Sequence, residues 1–264
     1  MLHITTLASG SSGNCLVVSD GTTHILIDAG ISARRITTAL KDLGIDPREL
    51  AAVLVTHEHS DHISGLATLT KQLAFPLYTA EATGRQLCYR LAGLEDRIHG
   101  FRPGARFSVG GLEIGTFPTV HDCASPVGYS VTDSRGVKLA VATDLGVVTD
   151  AVREGVRGAR LLVAEANYDP ETLRWGSYPP FLKERILSEH GHLSNEMGGE
   201  LARFAVEQGA RQIILGHLSQ ENNTPQMAYA AVERTLTGAG VRVGTDASLR
   251  VASRSTCEGW LQVE

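Results

Sequence analysis

The chain has 264 residues, of which 42% are hydrophobic and 20% charged, and its formal net charge is -5. This composition excludes a disordered chain, because it is sufficient for one large core, and we expect residues 1–264 to form a single α/β domain. The negative charge argues against broad, sequence-independent binding of nucleic acid. A local basic rim or bound cations could still hold a phosphate.

Targeting signals are missing from the start of the sequence. Met1-Leu-His-Ile-Thr5 predicts a strand, whereas a secretory leader needs a basic region and an apolar one, and no apolar run is long enough to cross a bilayer. Four cysteines without paired spacing favour reduced thiols. These features predict a cytoplasmic protein without a membrane partner, and they leave its oligomeric state open.

Three strands are predicted first, at residues 3–7, 15–19 and 24–27, in the manner of an antiparallel meander. The loop 9–14 between the first two, Ser9-Gly-Ser-Ser-Gly-Asn14, offers amides and hydroxyls to an anionic substrate, with Ser11 and Asn14 as candidate contacts. A plain flexible turn is an equal alternative. Asp28 ends the third strand, where it either supports a metal ligand from behind or caps a helix at 31–43.

A buried strand at 52–56 then leads into His57-Glu-His-Ser-Asp-His62. Since His57 and His59 are two positions apart in an extended segment, both can face one ion. Asp61 and His62 follow on a turn and can diverge toward a second ion, and their oxygen and nitrogen donors suit divalent metals. Packing or capping does not require three histidines in six positions, so we interpret the segment as a two-metal site.

The remaining elements form the scaffold and a second half. Helices are predicted at 65–73, 80–91 and 196–208, the last capped by Ser194, and strands at 76–79, 106–109, 112–118, 126–132, 137–143, 161–164 and 212–215. Gly110-Gly111 is expected to form a hairpin turn. The histidines without a ligand-like neighbour are interpreted as surface residues: His3, His24, His99 and His190.

Apolar strands repeatedly end in a residue that can bind metal. These residues are His57, His121, Asp144, Glu165 and His217. Because strand ends gather on one edge of a sheet sandwich, and helices and strands alternate in two comparable halves, we predict a four-layer αββα sandwich with the site on its rim. The interval from Asp144 to His217 is expected to hold one strand and two helices, without an inserted domain.

The HEHSDH motif and the later ligands in this order resemble the metallo-β-lactamase superfamily over nearly the whole chain. The resemblance implies one metal bound by His57, His59 and His121, a second bound by Asp61, His62 and His217, and Asp144 as the bridge. The zinc-dependent β-lactamases lack a bridging aspartate at this place. Asp144 therefore points to the branches that cleave esters, thioesters or phosphodiesters.

A finer resemblance lies in LASGSSGNC, EANYD, GHLSN and LGHLSQENN, which are similar to segments of the YycJ/WalJ-type proteins. This resemblance implies 5′-to-3′ exonuclease activity on double-stranded DNA. It also implies that Glu165 and His192 correspond to a Glu/His pair that the related tRNA-processing nucleases place beside the metals. The chain has no flexible tRNA-binding arm and no β-CASP insertion, so DNA is favoured over RNA as the nucleic-acid partner.

Two divalent cations would supply hydroxide at neutral pH and stabilise the charge of a five-coordinate phosphate. In that mechanism Asp61 accepts the proton of the water or orients it, and His192, paired with Glu165, is the candidate general acid. The alternative for the pair is a structural cap and a buried salt bridge. Zinc and manganese suit the ligands best, and iron is possible.

Substrate contacts have weaker support. Arg174-Trp-Gly-Ser-Tyr178, followed by Lys183 and Arg185, combines positive charge with aromatic rings, and Asn222 lies close behind His217 in sequence. Basic residues on helices are usually only solvated. Two other functions stay open: hydrolysis of a small thioester, lactone or cyclic phosphodiester in a closed pocket, and a non-catalytic nucleic-acid or partner-binding module with structural metals.

Overall fold

Two seven-stranded sheets pack face to face in the computed structural model, which describes residues 1–264. The first sheet has the order β14-β1-β2-β3-β4-β5-β6. Its strands are β1 (His3–Ala8), β2 (Cys15–Ser19), β3 (His24–Ile27), β4 (Leu50–Leu54), β5 (Leu77–Ala80), β6 (Ile98–Phe101) and β14 (Leu261–Gln262). The first three pair antiparallel, as predicted, and β3 to β6 are parallel.

The second sheet repeats this plan, with the order β13-β12-β11-β10-β9-β8-β7. Its strands are β7 (Arg106–Val109), β8 (Leu112–Pro118), β9 (Val127–Thr132), β10 (Lys138–Ala142), β11 (Leu161–Glu165), β12 (Gln212–Gly216) and β13 (Ser248–Val251). The hairpins β7-β8 and β9-β10 are antiparallel, and Gly110 takes a positive φ of 54° in the first turn. From β10 to β13 the strands are parallel.

The chain forms nine helices, most of which cover the outer faces of the two sheets. They are α1 (Ala33–Asp42), α2 (Ser60–Ile63), α3 (Leu66–Gln72), α4 (Glu81–Arg90), α5 (Asp150–Val156), α6 (Pro170–Trp175), α7 (Pro180–Leu187), α8 (Asn195–Glu207) and α9 (Pro225–Gly238). Two 3-10 turns lie at Pro47–Glu49 and Glu95–Arg97. No helix combines the length and the hydropathy that a membrane span would need.

Three hydrophobic layers separate these elements. The central layer lies between the sheets and contains Ile25 and Ile27 of β3, whereas Leu26 of the same strand points into the layer beneath α1, α3 and α4. The third layer packs α5, α8 and α9 on the second sheet. The alternation follows from the two-residue period of a strand. These layers confirm the predicted αββα sandwich.

Several local predictions need correction. Four helices, α5 to α8, lie between Asp144 and His217, and not two. The prediction failed because α6 and α7 are short and begin with proline, so they show little hydrophobic periodicity. His3 and His24, both predicted to be surface residues, are only partly exposed. Ser32, and not Asp28, caps α1, because its side chain accepts from the amide of Arg35. Ser194 caps α8 as predicted.

Candidate metal centre

The ends of β3, β4, β10, β11 and β12 meet at one edge of the sandwich. Asp28 and His217 directly follow β3 and β12, and Asp144 lies two residues after β10. These three residues have positive φ values, 63° for Asp28, 56° for His217 and 57° for Asp144, and they are the only non-glycine residues with positive φ. Such left-handed backbone costs on the order of 1–3 kcal/mol per residue and persists where the surrounding contacts enforce it. All three side chains turn inward at the site and are buried.

The HEHSDH loop is held against the loop that follows β3. Gly30 packs so closely that a Cβ added there would meet the carbonyl oxygen of Asp61 at 1.7 Å. The amide of Asn14 donates to the same carbonyl at 2.8 Å, and the amide of Gly30 donates to Asn14 at 2.8 Å. Residue 30 must therefore be glycine for the loop to sit in this position.

One group of possible ligands consists of His57, His59 and His121. His57 and His121 are buried, and His59 is partly exposed. Nδ1 of His59 lies 3.3 Å from Nε2 of His121. Nδ1 of His121 donates to the carbonyl of Gly191 at 2.9 Å, which leaves Nε2 for a metal. The extended segment thus directs both of its first two histidines to one point, and His121 joins them from the loop after β8.

The second group consists of Asp61, His62 and His217. Nε2 of His217 lies 3.3 Å from Oδ2 of Asp61, and Nε2 of His62 lies 3.4 Å from the same oxygen. Behind them, Nδ1 of His62 is 2.7 Å from Oδ2 of Asp28. Asp28 therefore orients a possible ligand from behind, one of the two roles predicted for it.

Asp144 lies between the two groups. Its Oδ1 is 3.4 Å from Nε2 of His217, 3.9 Å from Nε2 of His121 and 4.0 Å from Nε2 of His57. Its Oδ2 lies 3.3 Å from Nε2 of His62 without forming a hydrogen bond. A carboxylate in this place can bridge two cations.

The donor set fits a pair of divalent cations. His57 Nε2 and Asp144 Oδ2 are buried and have no hydrogen-bond partner, although buried polar atoms are normally paired because desolvation without a partner costs about 1–3 kcal/mol. Cations bound by imidazole nitrogens and carboxylate oxygens would satisfy both atoms.

Glu165 connects this cage to His192. Its Oε1 accepts from Nδ1 of His192 and from Nδ1 of His217, each at 2.8 Å. Its Oε2 accepts from the amides of Leu145 at 3.1 Å and Leu193 at 3.2 Å. The side chain of Glu165 is completely buried, whereas that of His192 is 19% exposed. One carboxylate thus orients a possible metal ligand and a histidine that substrate can reach.

Comparisons with known proteins agree with this architecture. Residues 23–218 match the β-lactamase superfamily domain. The chain belongs to the metallo-β-lactamase superfamily. Exodeoxyribonuclease YycJ of Bacillus anthracis is 36% identical over 244 residues, 92% of each chain. Exodeoxyribonuclease WalJ of Streptococcus pneumoniae is 38% identical over 244 residues, 91% of this chain and 90% of its own. The metallo-β-lactamase fold protein YhfI from Bacillus subtilis superimposes with a TM-score of 0.73 at 17% identity, covering 97% of this chain and 98% of its own.

As a member of the metallo-β-lactamase superfamily with this donor set, the chain is a metal-dependent hydrolase.

Charges within the centre set the pKa values of its histidines. Burial lowers the pKa of His57 far below its usual value, and burial also lowers that of His121. Burial would lower the pKa of His217 too, but the carboxylates of Asp144, Asp61 and Glu165 raise it to about 10. The pKa of His62 rises well above 6.5 because Asp144 and Asp28 outweigh its burial.

The carboxylates shift in the opposite direction. Burial alone would raise the pKa values of Asp61 and Asp144, but His217 and His62 hold both well below their usual range. Both carboxylates are therefore ionised at neutral pH. Because His62 and His217 bind protons firmly, a cation must displace protons to bind the site.

A cavity of about 150 Å³ adjoins the candidate metal centre at His121. It is lined by His121 and His192 and by Tyr178, Leu182 and Arg185 of the α6–α7 segment, residues 170–187. Ser11, a predicted substrate contact, also lines this cavity. The loop 9–14 and the α6–α7 segment thus both border the space beside His192.

The other predicted substrate contacts lie elsewhere. Asn14 is 4% exposed, and its side-chain amide is 3.0 Å from Nε2 of His62 and 3.3 Å from Oδ2 of Asp61. Asn222 is 1% exposed and close to Ser219, so it lies inside the fold. Arg174 pairs with Glu171 at 2.9 Å on the exposed face of α6, and Nζ of Lys183 donates to the carbonyl of Arg174 at 2.8 Å.

Several residues at the centre were not predicted from the sequence. Oγ1 of Thr56 lies 3.0 Å from Nδ1 of His57 and donates to Oδ2 of Asp28 at 2.9 Å. Asn167 donates to the carbonyl of His217 at 2.8 Å. Asp122 lies 3.4 Å from Nε2 of His121 and pairs with Arg185 of α7. Only adjacency to His57 and His121 could have indicated Thr56 and Asp122.

Proposed function

We propose that this chain is a dinuclear metal-dependent phosphodiesterase that digests DNA as a 5′-to-3′ exonuclease. The observation that carries the proposal is the combination of the ligand cage with a substrate-accessible histidine, His192, which Glu165 holds at 2.8 Å. The names of the Bacillus and Streptococcus relatives, which cover nine tenths of the chain or more, support DNA as the substrate.

The proposed ligands are the residues of the two groups and their bridge. One cation would be held by His57, His59 and His121, and the other by Asp61, His62 and His217, with Asp144 shared. When bound, the cations supply a water of lowered pKa and neutralise charge on the phosphate. Zinc or manganese suits these donors, and iron can also bind such ligands.

The proposed role of Asp61 follows from its charge. Because Asp61 is a proposed metal ligand, its carboxylate would be ionised when a cation is bound, and it would be a poor proton acceptor. It can still accept a hydrogen bond, and its side chain is 20% exposed. We therefore assign Asp61 to orienting the attacking water, the second of the two roles considered for it.

His192 is the proposed general acid. Its Nδ1 is engaged by Glu165, which fixes the ring and leaves Nε2 for the substrate. The ring lies 4.9 Å from that of His121 and 5.2 Å from that of His217, measured between centroids. It can therefore reach the leaving oxygen of a phosphate bound at the centre and protonate it.

The proposal is tested with metal-loaded protein and labelled substrates. Duplex DNA labelled at the 5′ end should release mononucleotide label immediately, whereas 3′-labelled duplex should keep its label until digestion is nearly complete. Single-stranded DNA, duplex RNA and a thioester are run beside them. Turnover of the thioester with no turnover of any nucleic acid would overturn the proposal in favour of a small-molecule hydrolase.

A further inference from the structure

The outward face of the α6–α7 segment carries an unusual amount of exposed apolar surface. Six large hydrophobic side chains are exposed in the whole chain, and three of them lie within residues 170–187. These are Trp175, Phe181 and Leu187, with 79%, 71% and 57% of their surface exposed. We call Trp175, Phe181 and the half-buried Tyr178 the aromatic face.

The exposed rings of this face do not contribute to the hydrophobic core. The segment is anchored by its inner residues, Leu173 and Ile186, which pack with Tyr168 in a small cluster of their own. Tyr178 and Leu182 cover the edge of that cluster. Trp175 and Phe181 belong to none of the hydrophobic clusters. Exposed apolar groups grouped on one short segment are typical of a binding surface.

One residue of the aromatic face, Tyr178, lines the cavity beside His192. Leu182 and Arg185 line the same cavity. Phe181 precedes Leu182 directly and stands four residues before Arg185 in α7, so it shares the helix side of Arg185. The units next to a phosphate held beside His192 would therefore meet Tyr178 and Leu182 first, with Phe181 adjacent in α7.

The basic residues of this segment are largely paired, Arg174 with Glu171 and Arg185 with Asp122. Residues 170–187 contain Arg174, Lys183 and Arg185 against Glu171 and Glu184, in a chain whose formal net charge is -5. Because this charge gives little general attraction for DNA, the binding affinity for DNA must come from the metal centre and from contacts that do not depend on charge. Aromatic rings beside basic groups supply such contacts in sites for single strands, where bases stack on them.

We infer that the α6–α7 segment is a stacking platform for the unpaired bases of a DNA end, with Phe181 next to the cavity beside His192. This inference rests on the proposed function and specifies its substrate: an end whose bases are unpaired beside the metal centre. Stacking requires an open base face, so frayed or overhanging ends bind in preference to blunt, fully paired ends.

Binding of fluorescein-labelled, cleavage-resistant phosphorothioate strands to metal-loaded protein tests the inference. Phe181→Ala should weaken binding about ten-fold, the effect of losing one stacked base. Phe181→Tyr should restore it, because tyrosine keeps an aromatic ring. Tyr89→Ala is the matched control, since Tyr89 is 89% exposed on α4. A strand whose terminal sugars carry no bases should bind equally to wild type and Phe181→Ala.

The two tryptophans give a direct readout. In Trp260→Phe, Trp175 is the only remaining tryptophan, and the strand should quench its emission. In Trp175→Phe the remaining Trp260, which packs against His3 at 6.1 Å between ring centroids, should keep its emission. Metal content of each variant, measured by elemental analysis, shows that the centre is intact.

Three results would overturn the inference. The first is that Phe181→Ala binds both strands as tightly as wild type does, although wild type digests DNA. The proposed function would then hold, and only the stacking platform would be wrong. The second is unquenched emission in Trp260→Phe. The third is a change from dimer to monomer in Phe181→Ala by light scattering, since the face then joins two copies of the chain. Absence of DNA digestion by wild type would instead defeat the proposed function.

Discussion

Oε1 of Glu165 lies 2.8 Å from Nδ1 of His192 in a pair that joins a buried carboxylate to a partly exposed imidazole. The same oxygen lies 2.8 Å from Nδ1 of His217. The carboxylate therefore orients a residue of the metal cage and a residue that faces substrate. Substitutions on the two sides of this pair should have different consequences.

His192→Ala should retain both metals and lose most turnover on duplex DNA, by roughly 10²–10⁴-fold, because the leaving oxygen would lack its proton donor. His190→Ala is the matched control, since His190 is exposed on the same loop. Initial rates and elemental analysis measure the two effects. Unchanged turnover in His192→Ala would remove the residue from the mechanism.

Glu165→Gln should impair metal binding and stability together. The neutral amide has one oxygen to accept from four donors, those of His192, His217, Leu145 and Leu193. We expect metal affinity to fall roughly 10–100-fold and the free energy of unfolding to fall by about 1–3 kcal/mol. Calorimetric titration and urea denaturation measure these changes. Exposed Glu189→Gln should match wild type, and wild-type metal affinity in Glu165→Gln would contradict the orienting role.

Asp28→Asn should weaken binding at the Asp61, His62 and His217 group selectively. Asparagine tolerates the left-handed backbone at position 28, so the turn is preserved. The charge that supports Nδ1 of His62 at 2.7 Å is lost, and an affinity loss of roughly 10–100-fold is expected. Titration of metal-free variant protein should show one weakened binding event. Two unaltered events would show that Asp28 only holds the loop.

Metal uptake should release protons. The pKa of His217 is raised to about 10, and that of His62 is raised well above 6.5, so both are protonated at neutral pH in protein stripped of metal. Ligation requires their neutral forms, and apparent affinity should therefore rise with pH. Calorimetry in buffers of different ionisation enthalpy counts the protons. Identical heats in all buffers would contradict the assignment.

Chelation should also change how stability depends on pH. A raised folded-state pKa means that His217 contributes stability to the metal-free protein that is complete below its unfolded value of 6.5 and lost as pH rises through about 10. The free energy of unfolding of chelated protein should thus decline from neutral to alkaline pH. The metal-loaded protein should decline less, because its His217 carries no proton to lose. An equal decline of the free energy of unfolding with pH in both forms, measured by urea denaturation, would argue against protonation of His217.

The sequence by itself determined most of the strands, four of the helices and the histidine motif at 57–62. The apolar run Ile25-Leu26-Ile27 specifies a strand covered on both faces, because successive side chains of a strand point to opposite sides. The structure places those side chains in two different layers. The spacing of His57 and His59 likewise fixes their common direction, because successive side chains of an extended segment alternate. These patterns involve neighbours in the chain, whose geometry follows from backbone preferences alone.

Only the tertiary structure decided which distant side chains meet. The contact of Glu165 with His217, the support of His62 by Asp28, and the pairing of Asp122 with Arg185 join residues 52, 34 and 63 positions apart. Each depends on strand order and on the path of the loops, which local spacing does not specify. The α6–α7 segment could not be predicted for a related reason. Its two short helices begin with proline and show little hydrophobic periodicity, and their position is set by packing on the small cluster of Tyr168, Leu173 and Ile186.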